Sequence, residues 1–147
     1  MTEHSKYYYD KDRNKISQGD LVYFKKSEFQ CNCVSCKEKG DTGENMDMSF
    51  LRLLDRARQL TGGIPMKINS GYRCPTHNKN VGGVKNSSHK NIPCNAADIS
   101  TKDSKTRYAI LNALIQVGAT RIGIGETFIH VDTDTKEKSP KVIWTYY

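Results

Sequence analysis

Residues 127–132, Thr-Phe-Ile-His-Val-Asp, place an imidazole and a carboxylate inside a run that reads as a β-strand. Alternate side chains of a strand share a face, so Phe128, His130 and Asp132 point one way and Ile129 and Val131 the other. Any fold for this chain has to honour that division. A histidine beside a carboxylate on one strand face suits a metal site or an acid–base site. A second charge is similarly placed: Asp98 lies in Ala-Ala-Asp-Ile-Ser, between apolar neighbours, where it needs a partner.

The remaining pattern mixes helices and strands without regular βαβ alternation. Phe50, Leu53, Leu54, Ala57 and Thr61 share one face of a helix predicted over 48–61, capped by Asp47 or Ser49 and ended by Gly62-Gly63. A second helix is predicted over 103–117, with Gly118 after it. Pro75 opens a brief helix closed by Gly82-Gly83. Short strands are predicted at Pro65–Ser70, Ala96–Ser100, Arg121–Gly125, Thr127–Asp132 and Val142–Tyr146. Gly19–Phe29 reads as a strand or a docking segment, and Cys31–Asn45 as a turn-rich loop. The class is α+β, in one domain over 21–147 behind a polar lead-in at 1–20. A chain of 147 residues suits a single core.

His89, in the polar stretch Asn-Ser-Ser-His, joins Asp98 and His130 as two imidazoles and one carboxylate. That is a common catalytic zinc set, which leaves a fourth position for a water whose pKa falls to about 7. Residue types alone also allow a hydrogen-bonded core histidine at 130 and a capping carboxylate at 98.

The string SGYRCPTHNKNVGGVKNSSH, followed by AADI and then FIHVD, resembles the zinc D-Ala-D-Ala carboxypeptidase and L-Ala-D-Glu endopeptidase family. That family includes phage endolysins and shares its fold with hedgehog signalling domains. The resemblance runs from about Phe29 to Asp132. It implies a small, mostly antiparallel sheet flanked by helices, with His89, Asp98 and His130 as zinc ligands. It implies that Arg73 steadies the carbonyl oxygen as it becomes an oxyanion, in place of a surface salt bridge. Ser87 would bind substrate or serve as a turn residue, and Tyr72 would flank the cleft or fill the core.

Two departures stand out. The family's proton-transferring acid lies near the last histidine, often a few residues before it, but Thr127 occupies the place three before His130. Asp132 and Glu126 are the alternatives; strand geometry favours Asp132, which could instead orient His130. The stretch HKNIPCNAAD is also two residues longer than the family's H-x-x-G-x-A-x-D, so the loop between the first two ligands has to bulge.

Cys31, Cys33 and Cys36 form C-x-C-x-x-C, which with Cys74 or Cys94 would make a second, structural zinc site, or would be reduced thiols packed in a loop. Five cysteines without a signal peptide argue against a disulfide framework. His77 reads as a helix-surface residue and His4 as part of a tail.

The expected activity is hydrolysis of a peptide bond in the peptidoglycan stem peptide, as an endopeptidase or a D-Ala-D-Ala carboxypeptidase. A wall-binding module that does not cut is the alternative, suggested by Thr127. The net charge of +7 favours a polyanionic partner, and a wall with anionic polymers meets that description. A nucleic-acid-associated protein would explain the charge but neither SGYR nor HVD, so no nucleic acid is expected. With no apolar leader or membrane-length run, the expectation is a monomer made in the cytoplasm and released to the wall by a lysis partner.

Overall fold

Leu51, Leu54, Ile110 and Leu114 are fully buried, and so are Ala97, Ile99, Ile122, Ile129 and Val131. The first set recurs at helical spacing and the second at strand spacing, and both join one core. The computed structural model describes residues 21–147 and, before them, only the backbone of two paired strands, β1 (Tyr8–Tyr9) and β2 (Lys15–Ile16). The polar lead-in, with His4, otherwise lies outside the described residues. Helices α1 (Val34–Lys39), α2 (Met48–Leu60), α3 (Pro75–Asn80) and α4 (Ser104–Gln116) alternate irregularly with strands β3 (Ile68–Ser70), β4 (Ala96–Ser100), β5 (Arg121–Ile124), β6 (Phe128–Asp132) and β7 (Val142–Thr145).

The sheet order is β3-β4-β6-β5-β7, antiparallel except for the β5–β7 pair. Helices α2 and α4 pack on each other, and α4 packs on β6. This is an α+β fold in which one sheet face is sealed by helices. The opposite face carries Asp98, His130, Asp132 and Trp144, all of which line an open cleft.

Local chemistry sets the element ends. Asp47 caps α2 by accepting from the Ser49 amide at 3.0 Å, and Asp103 caps α4 by accepting from Thr106 at 2.8 Å. Helix α1, expected to be loop, gives no periodic signal because Cys36 is its one buried residue.

The segment Gly19–Phe29, insofar as it is described, docks instead of joining the sheet. The Val22 and Tyr23 amides donate to the two carboxylate oxygens of Asp55, at 3.0 and 2.8 Å. Arg58, also on α2, donates to the carbonyls of Tyr23 and Ile64. Asp55 is fully buried, so removing it strands two amide donors in a dry place. Asp55→Ala is expected to lower stability by about 2–4 kcal/mol in urea unfolding, whereas a loss under 1 kcal/mol would mean the segment is held by other means.

Candidate metal centre

Strand pairing builds the centre. Asp98 of β4 stands directly opposite His130 of β6, and Gly123 of β5 stands opposite His130 on its other side. Trp144 of β7 is opposite Gly123. A Cβ at position 123 would lie 2.6 Å from Trp144 Nε1, so only glycine lets the indole lie across β5. The indole centroid comes to 5.7 Å from the His130 ring.

His89 arrives from a single 3-10 turn, Ser88–Lys90. Ser87 caps the turn, its hydroxyl accepting from the His89 amide at 3.2 Å. His89 Nδ1 lies 2.6 Å from the carbonyl of Gly71 in SGYR. A carbonyl only accepts, so Nδ1 carries the proton and Nε2 of the neutral ring carries a lone pair. Nε2 is buried, has no hydrogen-bond partner, and faces Asp98 Oδ1 at 3.3 Å.

His130 repeats the arrangement with its nitrogens exchanged. Nε2 donates to Asp132 Oδ2 at 2.7 Å, and Nδ1 faces Asp98 Oδ1 at 2.9 Å. In the neutral ring that Nδ1 is also a lone pair. Three acceptors, His89 Nε2, Asp98 Oδ1 and His130 Nδ1, thus converge within 4.8 Å of one another. Such a set repels itself unless a proton or a cation lies among the three. Two imidazoles and a carboxylate suit zinc, and the buried, unpartnered Nε2 of His89 is the observation that fits it.

Electrostatics agree. Burial would raise the Asp98 carboxyl, but His130 and His89 outweigh it and hold the group well below the usual carboxylate range. Burial would lower His130, but hydrogen bonds to Asp132 and Asp98 prevail and raise it. Asp132 is held low against burial by His130, the Asp134 amide and Arg121.

The cleft beside the three acceptors encloses about 580 Å³, a ligand-sized volume. Arg73 enters it as part of the turn after β3. Its Nε donates to Ser70 Oγ at 2.9 Å and its Nη1 to Asn78 Oδ1 at 2.8 Å, which leaves Nη2 3.5 Å from Asp98 Oδ2. Asn78 is buried and in turn donates to the Val84 carbonyl. The guanidinium is therefore fixed beside the acceptors, with unused N–H groups.

The two carboxylates weighed as proton acceptors are placed differently. Asp132 is on the His130 face, as strand alternation requires, but both its oxygens are engaged: Oδ2 by His130, Oδ1 by Arg121 at 2.7 Å and by the Asp134 amide. That geometry suits orienting His130, the second of its two expected roles. Glu126 is exposed in the turn before β6, where its backbone carbonyl accepts from Arg107, and it is not among the residues lining the cleft. The strand that would have aimed it inward begins only at Phe128.

Ser87 lines the cleft as well as capping its turn. Tyr72 is buried in the core and borders a smaller recess that Arg73 and Asp98 also line. The longer loop after His89 is absorbed by pairing with residues before α2: the Cys94 amide donates to Asn45, and the Asp47 amide to Cys94. Cys94 is thereby separated from Cys31, Cys33 and Cys36, which gather with Cys74.

Sequence reasoning missed Asn78, Arg121, Trp144 and Tyr146, all near or in the cleft. Trp144 and Tyr146 had a signal in the alternation of β7, but only the glycine opposite tells which face is accessible. Arg121 had none, since its partner Asp132 is reached only across β5 and β6.

The Peptidase M15 family model matches residues 22–132. No curated protein matches the chain.

A cation entering among the three acceptors has to displace the raised His130 proton, while Asp98 is already ionised. Apparent zinc affinity of the cleft is therefore expected to rise about tenfold per pH unit, for one proton released, up to the raised pKa of His130, and then to level off. Asp132→Asn, which weakens the hold on the ring, is expected to cost about 10–100-fold in affinity. Competition with a chromophoric chelator measures both; a flat pH profile would contradict the assignment of that proton.

Proposed function

Since the chain belongs to the Peptidase M15 family, that of the zinc D-Ala-D-Ala carboxypeptidases, we propose that it hydrolyses a peptide bond in the stem peptide of bacterial peptidoglycan. The convergence of His89 Nε2, Asp98 Oδ1 and His130 Nδ1 in an open cleft is the observation that carries this reading. M15 peptidases use zinc. Bound by these three atoms, zinc supplies Lewis acidity at the scissile carbonyl and a water acidified to a pKa of about 7.

The protein's own groups orient the ligands and receive the developing charge. His89 and His130 are locked in tautomer by Gly71 and Asp132, so their lone pairs are aimed before substrate arrives. Arg73, immobilised by Ser70 and Asn78, presents free N–H groups where negative charge develops on the carbonyl oxygen. Trp144 and Tyr146 form one wall of the cleft, packed ring to ring at 6.3 Å, with Phe128 5.1 Å from Tyr146. That wall excludes water from one side of the reacting bond. Stem peptides carry carboxylates, and Arg73 offers the cleft N–H groups to meet them, whereas Arg121 and Lys138, also in the lining, are paired with Asp132 and Asp134.

One observation favours a second reading, a module that binds wall peptide and cuts it slowly or not at all. Among the described residues, the only carboxylates lining the cleft are Asp98 and Asp132, and both are engaged. Release of new amino groups from purified peptidoglycan separates the two readings. Hydrolysis is expected, abolished by a chelator and restored by zinc. Arg73→Ala is expected to lower kcat by about 10²–10³-fold, and Glu126→Ala to leave it within about twofold, in keeping with an exposed side chain outside the cleft. Peptidoglycan binding without release at any protein concentration would establish the binding module instead.

A further inference from the structure

A second group of ligands lies outside the cleft. The sulfurs of Cys31, Cys33, Cys36 and Cys74 all fall within 4.8 Å of one another. Cys33 Sγ is 3.6 Å from Cys31 Sγ and 3.7 Å from Cys74 Sγ. Four sulfurs around a zinc ion at about 2.3 Å are about 3.8 Å apart by tetrahedral geometry. The spacing is far too long for a disulfide, at about 2.05 Å, and all five cysteines are free thiols.

Three of the four sulfurs face amide donors, while burial by itself pushes the Cys36 and Cys31 thiols up. The Cys36 amide points at Cys33 Sγ, the Cys74 amide at Cys31 Sγ and the His77 amide at Cys74 Sγ, each at 3.4 Å. Amide donors of this kind favour the thiolate form that a metal needs. Cys94 provides the contrast within the same chain. Its sulfur faces only carbonyls, those of Ser88, His89 and Ala96, at 3.6–3.8 Å, which is the setting of a buried neutral thiol.

Apolar packing gives helices α1 and α3 little support. Helix α1 buries only Cys36, and α3 buries only Asn78. Six-residue helices with one buried side chain apiece are held poorly by apolar contact, yet the two meet here: Cys33 caps α1 and Cys74 caps α3.

We propose that Cys31, Cys33, Cys36 and Cys74 bind a structural zinc ion that ties α1 to the turn carrying Arg73. Cys74 follows Arg73 directly in the chain, so the tie also fixes the approach of the guanidinium to the cleft. Closed four-thiolate coordination leaves no position for substrate, which makes this site structural, and its occupancy does not rest on the hydrolysis proposed above.

The test is metal content and cobalt spectroscopy on the full chain. Two zinc ions per wild-type chain are expected, one for each ligand group, falling to one in His89→Ala and to one in Cys74→Ser. Cobalt-substituted wild type and His89→Ala should both show the near-ultraviolet thiolate-to-cobalt charge-transfer band and the intense visible absorption of a tetrahedral thiolate site. The wild-type spectrum decides the matter even if Cys74→Ser fails to fold. A single zinc that disappears in His89→Ala, with no thiolate band in the cobalt protein, would overturn the proposal. A single zinc that survives His89→Ala together with the thiolate band would support this site while removing the metal from the cleft.

Discussion

The pairing register of β4 and β6 is the constraint on which everything else rests. In that register Asp98 faces His130, and Ile99 faces Ile129. A slip of one residue would turn Asp98 or His130 into the core and bring Ile129 and Val131 out to water. Burial of Ile99, Ile129 and Val131 against α4 and its neighbours therefore fixes the position of the two polar groups. The apolar face carries the free energy of folding, and the polar face is set by it without having to be favourable itself.

That polar face is costly on its own terms. Three lone-pair atoms directed at one point is an arrangement a folded chain keeps only if something positive enters it. The two imidazoles are each held by a neighbour, one distant in the chain and one on the same strand. Gly71 fixes His89, and Asp132 fixes His130, itself fixed by Arg121. SGYR is the hub of this support. Its Ser70 steadies Arg73, its Gly71 accepts from His89 and packs against Phe29 with no room for a side chain, and its Tyr72 amide donates to the Phe29 carbonyl. A Cβ on Gly71 would lie 2.6 Å from the Phe29 Cβ, so that position admits no larger residue without moving the segment that orients His89.

Much of this was legible in the sequence. Strict alternation in Phe128–Asp132 and the helical spacing of 48–61 and 103–117 survive because tertiary packing reinforces the local pattern. The convergence of residues 89, 98 and 130 followed from motif order, not from any periodicity. Other features could not be read. Helix α1 has almost no apolar face, and Leu21–Phe29 satisfies part of its backbone through the buried Asp55, a long-range partner with no local signature. The employment of Asp132 by Arg121 depends on a cross-strand neighbour, which occupies the oxygen that His130 leaves.

The most direct measurement is the anomalous difference map at the zinc absorption edge from crystals of zinc-loaded protein. A peak about 2.0–2.2 Å from His89 Nε2, Asp98 Oδ1 and His130 Nδ1 together is the expected result. A cleft without such a peak, or a metal bound through His130 Nε2 with Asp132 displaced, would contradict the account.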